Sequence, residues 1–456
     1  MVRSRRLTVV RGVARAALIG VMALGAAACA RPHAEKTPPN ILLISIDALR
    51  ADHLSCYGYD RRTSPVLDDL AARGTRFSNA FVNTHGTPPS HTTLLSSLYQ
   101  ETHRVDLGGG DAPGGGHTIP VDVGLVQEIL QRNGWRTVAV TGGGYMSGEF
   151  GFSRGFDVFT DQARGVDEGT GRLIEALRAP TEAGRPVFAL LHTYEVHSPY
   201  VPPDDFADLF GEYSGAIEPT NEALIPIQGT AGQVLTRGDF EYLESLYDGG
   251  IRYTDEVLGE LLDELDAIGF LDNALVIITA DHGEEFGEHG GLLHGGKLYE
   301  ELIHVPLIVF GTGAPRGVVD PALVSHVDVA PTILAAARIP APEIMEGRDL
   351  LDGPQRGPWF EQRVFSQYAS QLYCVRTPRW KLIFRPASGQ MQLFDLRRDP
   401  VERRNLREAY PEVAEQLLAD LIAWRRERPQ LDFEPTPDDE LSAEKIEELR
   451  ALGYVE

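Results

Sequence analysis

Apolar runs that end in polar or glycine residues constrain the fold of this chain more than any other sequence feature. The runs are rich in β-branched residues and lie at 41–46, 137–141, 187–191 and 275–280. Continuous apolar runs of this length are typical of strands buried on both faces, as in a parallel sheet. Helical patterns at 123–133 and 244–268 separate them. The sequence therefore predicts an α/β domain with a mixed, mostly parallel sheet flanked by helices.

The sequence changes character near residue 355. Short strand-like runs broken by Pro and Gly follow, at 364–368, 372–375, 380–384 and 391–394. They indicate a small antiparallel sheet. Helical patterns at 411–427 and 442–452 come next. We therefore predict a main domain over 37–350, whose fifth strand lies at 305–310, and a small C-terminal α+β subdomain over 355–456.

The N-terminus has the pattern of a targeting segment. Arginines precede a short run of small and apolar residues, from Ala16 to Ala28, that is too short to span a membrane comfortably. The run ends in alanines directly before Cys29, as at a bacterial lipoprotein cleavage site, although Ala26 stands where Leu is more usual. We therefore assign 1–36 to a signal segment and linker, with Cys29 lipidated and the protein anchored to a membrane in the periplasm or at the cell surface. Ordinary secretion and an uncleaved anchor stay open.

The net charge of −24 argues against a nucleic-acid partner, because phosphate backbones need a basic surface. It also means that an anionic substrate must be drawn in by a local positive site, such as a metal ion. Beyond the N-terminal segment the cysteines are Cys56 and Cys374. Export would permit a disulfide between them, but separately buried thiols are the favoured interpretation.

Residues behind the first and last apolar runs can form one metal site. Asp47 follows the first run, and Asp281 and His282 follow the last. Ligands bind at the carboxyl ends of the strands in open α/β sheets, so these residues are expected at one edge. The carboxylates offset the charge of a divalent cation, and the imidazole adds a neutral donor. The set suits Ca²⁺, Mg²⁺ or Mn²⁺, and Zn²⁺ stays open.

Thr87 is the candidate nucleophile and a further metal ligand. It stands before Pro88-Pro89 and a helix predicted to begin near Ser90, whose first N–H groups would be available to an anion. A metal-bound hydroxyl has a lowered pKa and can attack a sulfate- or phosphate-like centre. His197 and His294 are candidates for stabilising non-bridging oxygens or protonating a leaving oxygen. Each residue alone is more often structural, and only the combination indicates an active site.

These residues, with their neighbours, resemble the sulfatase family of the alkaline phosphatase superfamily. Ordered motifs over nearly the whole chain after residue 37 carry the resemblance, at 39–47, 55–59, 90–99, 197–200, 279–284, 299–301, 305–307 and 393–400. It implies an alkaline-phosphatase-like fold, a divalent metal and hydrolysis of sulfate or phosphate esters. It also implies substrate-binding roles for His91, where the family has Arg, and for Lys297 or His294, near where the family has Lys.

The departures from that family bear on mechanism. Sulfatases carry Cys or Ser that is converted to formylglycine, in a Cys/Ser-x-Pro-x-Arg frame that here runs from Thr87 to His91. Threonine cannot become formylglycine, and Ala48 stands where many sulfatases have a second Asp ligand. A covalent intermediate on threonine must be broken by attack at the transferred atom, as in the threonine-using phosphodiesterases and transferases of the superfamily. We therefore predict a threonine-nucleophile subgroup and favour phosphate over sulfate esters.

The sequence leaves alternatives to a hydrolase open. An envelope phosphoglycerol- or phosphoethanolamine-type transferase would use the same nucleophile, although those relatives usually carry several membrane spans. A non-catalytic relative would keep the fold and hold an anionic glycan, but the retained carboxylates, His282 and hydroxyl argue against it. In each case the expected partner is a small-molecule, glycan or lipid-linked anionic ester.

Overall fold

The computed structural model describes residues 37–106, 117–179, 184–211, 213–353, 362–431 and 443–452. The predicted signal segment at 1–36, with Cys29, lies outside the described residues. The strands are β1 (Asn40–Ile46), β2 (Thr75–Phe81), β3 (Arg136–Val140), β4 (Val158–Thr160), β5 (Val187–Thr193), β6 (Ala274–Thr279), β7 (Glu285–Phe286), β8 (Leu292–Leu293), β9 (Leu307–Gly311), β10 (Val318–Ser325), β11 (Val364–Tyr368), β12 (Leu372–Arg376), β13 (Trp380–Arg385) and β14 (Gln390–Asp395).

The helices, in the same order, are α1 (Pro65–Arg73), α2 (Thr87–Ser96), α3 (Gln100–His103), α4 (Val126–Arg132), α5 (Val166–Arg178), α6 (Asp204–Ala207), α7 (Asn221–Leu224), α8 (Ala231–Val234), α9 (Arg237–Ala267), α10 (Glu300–Ile303), α11 (Val329–Ala336), α12 (Pro411–Arg426) and α13 (Ala443–Ala451). Within the described ranges, none of them combines the length and the apolar character that a membrane span requires.

An eight-stranded mixed sheet forms the centre, in the order β10-β2-β9-β6-β1-β5-β3-β4. The strands from β6 to β4 are parallel neighbours, whereas β9 runs antiparallel to both β6 and β2. The predicted α/β fold with a mixed, mostly parallel sheet is confirmed. The prediction missed β2, β4 and β10. Polar residues interrupt β2 and β10, and β4 is only three residues long, so none has a continuous apolar run.

Alternate residues of the buried strands pack on opposite faces of this sheet. Leu42 and Ile44 of β1 belong to a cluster that contains residues of α1 and α9. Ile41 and Leu43 belong to a second cluster, with residues of α4 and α11. Because successive strand side chains point to opposite faces, one apolar run supplies both layers. Helices therefore cover both faces, as the sequence predicted.

The C-terminal strands form an antiparallel sheet in the order β11-β12-β13-β14, as predicted. Its buried face packs against α12, where Tyr373 and Leu382 meet Leu417 and Trp424. The sheet is joined to the segment after β2 because the Gln367 N–H donates to the Asn83 carbonyl at 2.8 Å. The described residues from Pro38 onward belong to one compact unit. The predicted boundary near 355 falls outside the described residues, so the division into two domains stays a prediction.

Cys56 and Cys374 are separate thiols, as the sequence analysis favoured. Burial raises the pKa of each thiol to about 12. Both are therefore protonated at neutral pH and are poor nucleophiles.

Asp255 of α9 gives the fold a pH-dependent contact with α1. Its carboxyl accepts the backbone N–H groups of Val66 and Leu67 at 2.9 and 2.8 Å. Burial raises its pKa from 3.8 to about 6, although these hydrogen bonds act in the opposite direction. Such a carboxyl stabilises the folded state below its unfolded pKa, and that contribution is lost as the pH rises through its folded pKa. We expect the free energy of unfolding to fall by roughly 2–3 kcal/mol from about pH 4 to 6, relative to Asp255→Asn. Urea denaturation measures this, and parallel pH curves for the two proteins would contradict it.

Candidate active site

Three adjacent parallel strands bring the site together at the carboxyl edge of the sheet. Asp47 comes directly after β1, Asp281 and His282 follow β6, and His192 lies near the end of β5. In the sheet register, Ser45 of β1 pairs with both His192 and Thr279. The residues that follow these strands therefore meet at one point, as expected for a ligand site in an open α/β sheet.

The predicted metal ligands surround one point. The Nε2 atom of His282 lies 3.5 Å from Oδ1 of Asp47 and 3.6 Å from Oδ2 of Asp281. These atoms lie within 4.8 Å of one another, and all three residues are fully buried. None of the three atoms has a hydrogen-bond partner among the described residues. Buried carboxylate oxygens without partners are strongly unfavourable unless a cation compensates them, so the donor set fits a divalent metal ion.

Local hydrogen bonds orient these candidate ligand atoms. Nδ1 of His282 donates to the Gly283 carbonyl at 2.8 Å, which leaves the lone pair of Nε2 facing the carboxylates. Oδ1 of Asp281 accepts the Ala48 N–H at 3.2 Å, which leaves Oδ2 for the cluster. Ala48 adopts φ 59°, an unusual conformation for alanine. The backbone is therefore held in a less favourable conformation at the point where it orients a ligand.

The charges of the cluster are mutually dependent. Burial acts to raise the pKa of Asp47, but His282 and a hydrogen bond from His192 outweigh it and hold that pKa well below its usual range. Burial and the neighbouring Asp47 raise the pKa of Asp281. Burial acts to lower the pKa of His282, whereas the two carboxylates raise it. Without a cation the cluster therefore holds protons that metal binding would release.

Thr87 is fully buried beside this cluster, at the first residue of α2. Its Oγ1 donates to Oδ2 of Asp47 at 3.2 Å. The predicted helix start near Ser90 was wrong, because the first turn of a helix tolerates prolines whose missing N–H groups would have no intrahelical partner. Pro88 and Pro89 carry no N–H, and the N–H of Ser90 is bonded to the Gly86 carbonyl at 3.1 Å. Pro88, Pro89 and Ser90 therefore offer no free N–H to an anion, and the dipole of α2 is what this turn contributes to anion binding.

His91 lies one helical turn after Thr87 and is fully buried. Its Nδ1 donates to the Thr87 carbonyl at 2.9 Å, and its Nε2 accepts from Oγ of Ser45, also at 2.9 Å. Burial lowers its pKa well below the usual value, so the ring is neutral. The predicted substrate-binding role does not fit, because both ring nitrogens are engaged within the protein. His91 instead supports the turn that carries Thr87.

His197 and His294 lie together beside His282, as the sequence predicted. Their ring centroids are 4.9 Å apart, and the His294 ring lies 4.4 Å from that of His282. Nδ1 of His197 donates to the Ser198 carbonyl at 2.6 Å, and Nδ1 of His294 lies 3.0 Å from Oε1 of Glu284. Burial lowers the pKa of His197 to about 4 and that of His294 to about 3. Both rings are therefore neutral at pH 7.

Lys297 is engaged elsewhere. Its Nζ lies 2.6 and 2.8 Å from the carboxylate oxygens of Glu285, and it donates to the His289 carbonyl at 3.1 Å. Glu285 is buried, whereas the Lys297 side chain is partly exposed. The predicted substrate-binding role of Lys297 therefore does not fit this arrangement.

His192 and Glu284 are site residues that the sequence analysis did not select. Nε2 of His192 lies 3.4 Å from Oδ2 of Asp47, and the Gly142 N–H donates to its Nδ1 at 3.4 Å. Burial raises the pKa of Glu284 to about 7. The position of His192 directly after an apolar run was a usable signal. Nothing in the sequence distinguished Glu284 from other acidic residues near His282.

His192 contacts the Asp47 carboxylate, so its removal is expected to change metal affinity. We expect His192→Ala to weaken Mn²⁺ binding by about 10- to 100-fold, the usual effect of losing an outer partner of a ligand. His192→Gln can still donate to Asp47 and should lose less. Calorimetric titration of the metal-free proteins measures this, and unchanged affinity in His192→Ala would contradict the assigned role.

Comparison with known proteins places the chain among sulfatases. The family model described as Sulfatase matches residues 39–339. A model described as N-sulphoglucosamine sulphohydrolase, C-terminal, matches 287–427. Similar curated proteins include arylsulfatase K of Gallus gallus, 26% identical over 470 residues, with 88% of this chain and 85% of that protein covered. The N-acetylglucosamine-6-O-sulfatase of Bacteroides thetaiotaomicron is 23% identical, with 85% and 86% covered.

Solved structures share the fold over most of the chain. The phosphonate monoester hydrolase of Agrobacterium radiobacter superposes with a TM-score of 0.70 at 21% identity, covering 86% of this chain and 96% of that one. A protein in complex with its substrate D-glucosamine-2-N,6-O-disulfate superposes with a TM-score of 0.69, also at 21% identity, covering 85% and 98%. At these identities the likeness establishes the architecture alone.

Proposed function

This chain belongs to the sulfatase family, and from that premise we propose that it is a metal-dependent hydrolase whose nucleophile is the hydroxyl of Thr87. It is a sulfatase-like ester hydrolase, and its curated relatives support sulfate esters as substrates. The proposal adds the nucleophile, the ligand set and the path of the protons.

One observation carries the proposal. The hydroxyl of Thr87 donates to Asp47 at 3.2 Å, beside buried ligand atoms of Asp47, Asp281 and His282 that have no partner in the described structure. A cation bound by these residues and Thr87 would lower the pKa of the hydroxyl and offset the charge of an anionic ester. Donor type and position both suit Ca²⁺, Mg²⁺ or Mn²⁺, with Zn²⁺ as the alternative.

The chain's own residues prepare the nucleophile. Asp47 accepts the hydroxyl hydrogen of Thr87, so the lone pairs of Oγ1 point away from Asp47. His91 fixes the first turn of α2 through the Thr87 carbonyl and so limits movement of that side chain. The N-terminal dipole of α2 stabilises negative charge that develops near Oγ1.

In the proposed mechanism, His197 and His294 move protons. Their Nδ1 atoms are bonded to the Ser198 carbonyl and to Glu284, so Nε2 gives or takes the proton. A group that protonates the leaving oxygen in the first step can deprotonate water in the second. Glu284 suits the support of His294, because ionisation of this carboxyl stabilises a protonated ring.

The threonine nucleophile is also compatible with a second substrate class, phosphate esters. A formylglycine hydrate releases its sulfate by elimination, whereas an ester on the threonine oxygen must be cleaved by attack at sulfur or phosphorus. Both sulfur and phosphorus can be attacked in this way, and membership of the sulfatase family supports sulfate esters. The proposal therefore covers sulfate esters first and phosphate esters as the alternative that the nucleophile itself supports.

We also propose that the protein is exported and tethered by a lipid on Cys29. The arginines, the short apolar run and the alanines before Cys29 support this. Membrane fractionation of the full chain and of Cys29→Ala tests it. Equal distribution of the two proteins between membrane and aqueous fractions would contradict lipid anchoring.

The hydrolase is tested with purified protein, 4-nitrophenyl sulfate, 4-nitrophenyl phosphate and bis(4-nitrophenyl) phosphate. We expect turnover of at least one ester that is lost on chelation and restored by Mn²⁺ or Ca²⁺. Acid quenching during turnover, followed by mass spectrometry of the peptide containing Thr87, should reveal a sulfated or phosphorylated threonine.

The outcomes separate the candidates. Turnover of sulfate esters without any adduct on Thr87 would contradict the threonine mechanism but not the family's activity. Transfer to an added alcohol in preference to water would indicate the envelope transferase. Binding of the esters without turnover would indicate the glycan-binding relative.

A further inference from the structure

His85, two residues before Thr87, is a buried polar side chain that the proposed mechanism does not use. Its side chain is fully buried, and among the described residues neither ring nitrogen has a hydrogen-bond partner of ordinary geometry, although the ring has a weaker polar contact with the backbone of Lys297. Polar groups buried without partners destabilise the folded state, and in native proteins they are uncommon. A group left in this condition beside a catalytic site is a candidate for contact with a ligand.

The ring of His85 is held in place by the C-terminal sheet. Tyr368 stacks on it with ring centroids 4.6 Å apart and an angle of 9° between the planes. Tyr368 ends β11, which is anchored to the same segment, because the Ser366 hydroxyl donates to the Val82 carbonyl at 2.6 Å and Thr84 forms a bridge with Gln367. Backbone pairing between β11 and the segment before His85 therefore fixes the position of the stacked rings.

The loop that carries His294 also packs against Tyr368. A Cβ atom on Gly296 would lie 2.8 Å from Cε1 of Tyr368, so the loop backbone packs directly against the tyrosine ring. His282 and His294 are also electrostatic neighbours of His85. His85 thus borders the catalytic cluster where the nucleophile segment, the His294 loop and the C-terminal sheet converge.

From this arrangement, and resting on the proposed hydrolase activity, we propose that His85, backed by Tyr368, binds a free hydroxyl group on the alcohol part of the ester. A neutral imidazole offers one N–H donor and one lone-pair acceptor. A hydroxyl group is likewise both donor and acceptor, so it can pair with the imidazole in either direction. The stack fixes the ring plane, so the subsite selects esters whose leaving alcohol carries another hydroxyl group.

The test compares esters that differ by one hydroxyl group. Wild-type protein is assayed on phenyl sulfate and the three isomeric hydroxyphenyl sulfates, and on the corresponding phosphates. We expect kcat/KM for at least one hydroxyphenyl isomer to exceed that for the phenyl ester by about tenfold, the value of one hydrogen bond. His85→Phe keeps an aromatic ring for the stack on Tyr368, and it should remove this preference while still cleaving the phenyl ester.

Two further variants separate binding from a structural role. His85→Gln retains a donor and an acceptor and should keep part of the preference. His304→Phe is a matched control, because His304 also stacks on an aromatic ring, that of Phe81, and its Nε2 lies 3.2 Å from the Ser78 carbonyl. It should leave the preference unchanged. A loss of activity in His85→Phe that is equal on all esters would overturn the proposal.

A binding measurement distinguishes failure of this inference from failure of the proposed function. Calorimetry with phenol and the three dihydroxybenzenes requires no turnover. The inference holds if wild-type protein binds at least one dihydroxybenzene about tenfold more tightly than phenol and His85→Phe does not. If no ester is cleaved but this preference is present, the hydrolase proposal fails and the subsite stands. Equal binding of all four compounds by the wild type overturns the subsite.

Discussion

Thr87→Ala is expected to lower kcat/KM for the best ester substrate by about 10⁴-fold or more, the usual effect of removing a catalytic nucleophile. The hydroxyl is the group from which the proposed covalent intermediate forms, and no other hydroxyl donates to Asp47 in the described structure. The fold should survive, since the change removes one hydroxyl and one methyl group from the first turn of α2. Initial rates with the metal-loaded protein, alongside thermal denaturation, measure both effects.

Thr87→Ser is the matched variant. It keeps the hydroxyl at the same atom and should retain activity within about tenfold of the wild type, because only a methyl group is lost. Mass spectrometry should detect an adduct on the serine peptide and none on the alanine peptide. A Thr87→Ala protein that stays within tenfold of wild type would show that water, rather than Thr87, attacks the ester.

Asp281→Asn is expected to lower kcat/KM by about 10³-fold or more, and to make the metal-free protein more stable than the wild type. The activity falls because a ligand carboxylate is lost. The stability rises because burial, and then the neighbouring Asp47 carboxylate, raise the pKa of Asp281 and so disfavour its charged form. A carboxyl with a raised pKa stabilises the folded state only while it is protonated. The metal-free wild type should therefore lose stability as the pH rises above the usual aspartate value, and Asp281→Asn should not.

Excess metal should instead make the wild type more stable than Asp281→Asn. Bound cations stabilise the folded protein in proportion to the logarithm of their concentration over the dissociation constant, so Mn²⁺ should raise the melting temperature of the wild type. The same addition should have little effect on Asp281→Asn. Asp272→Asn, an exposed change before β6, is the control and should behave as the wild type. An equal metal response in Asp281→Asn would contradict the ligand assignment.

The sequence predicted those parts of the fold that local pattern determines. The apolar runs that became β1, β3, β5 and β6 are buried on both faces, so composition alone identifies them. β2 and β10, which pair with each other, were not predicted because polar residues interrupt both of them. The start of α2 was misplaced because prolines are ambiguous: they terminate many helices and begin others.

The clustering of Asp47, Asp281 and His282 was predictable because these residues follow predicted strands, and parallel strands bring such residues to one edge. The roles of His91 and Lys297 were not, because they depend on contacts that sequence spacing does not report. His91 meets Ser45 across 46 residues, and Lys297 meets Glu285 on the far side of a short hairpin. In both cases a family position suggested substrate contact, while the actual partners lie within the protein.

The antiparallel course of β9 has a consequence for how this site can diversify. Because β9 runs opposite to β6 and Thr279 pairs with Leu307, the chain leaves the sheet and returns to it at the same edge. Residues 280–306, with His282, Glu284 and His294, thus form one excursion whose two ends are fixed side by side. The length of such a segment can change without shifting the strands of the central sheet, because both of its ends are held by the pairing of β6 with β9. The surroundings of the buried cluster can therefore vary while the sheet that carries Asp47 stays the same.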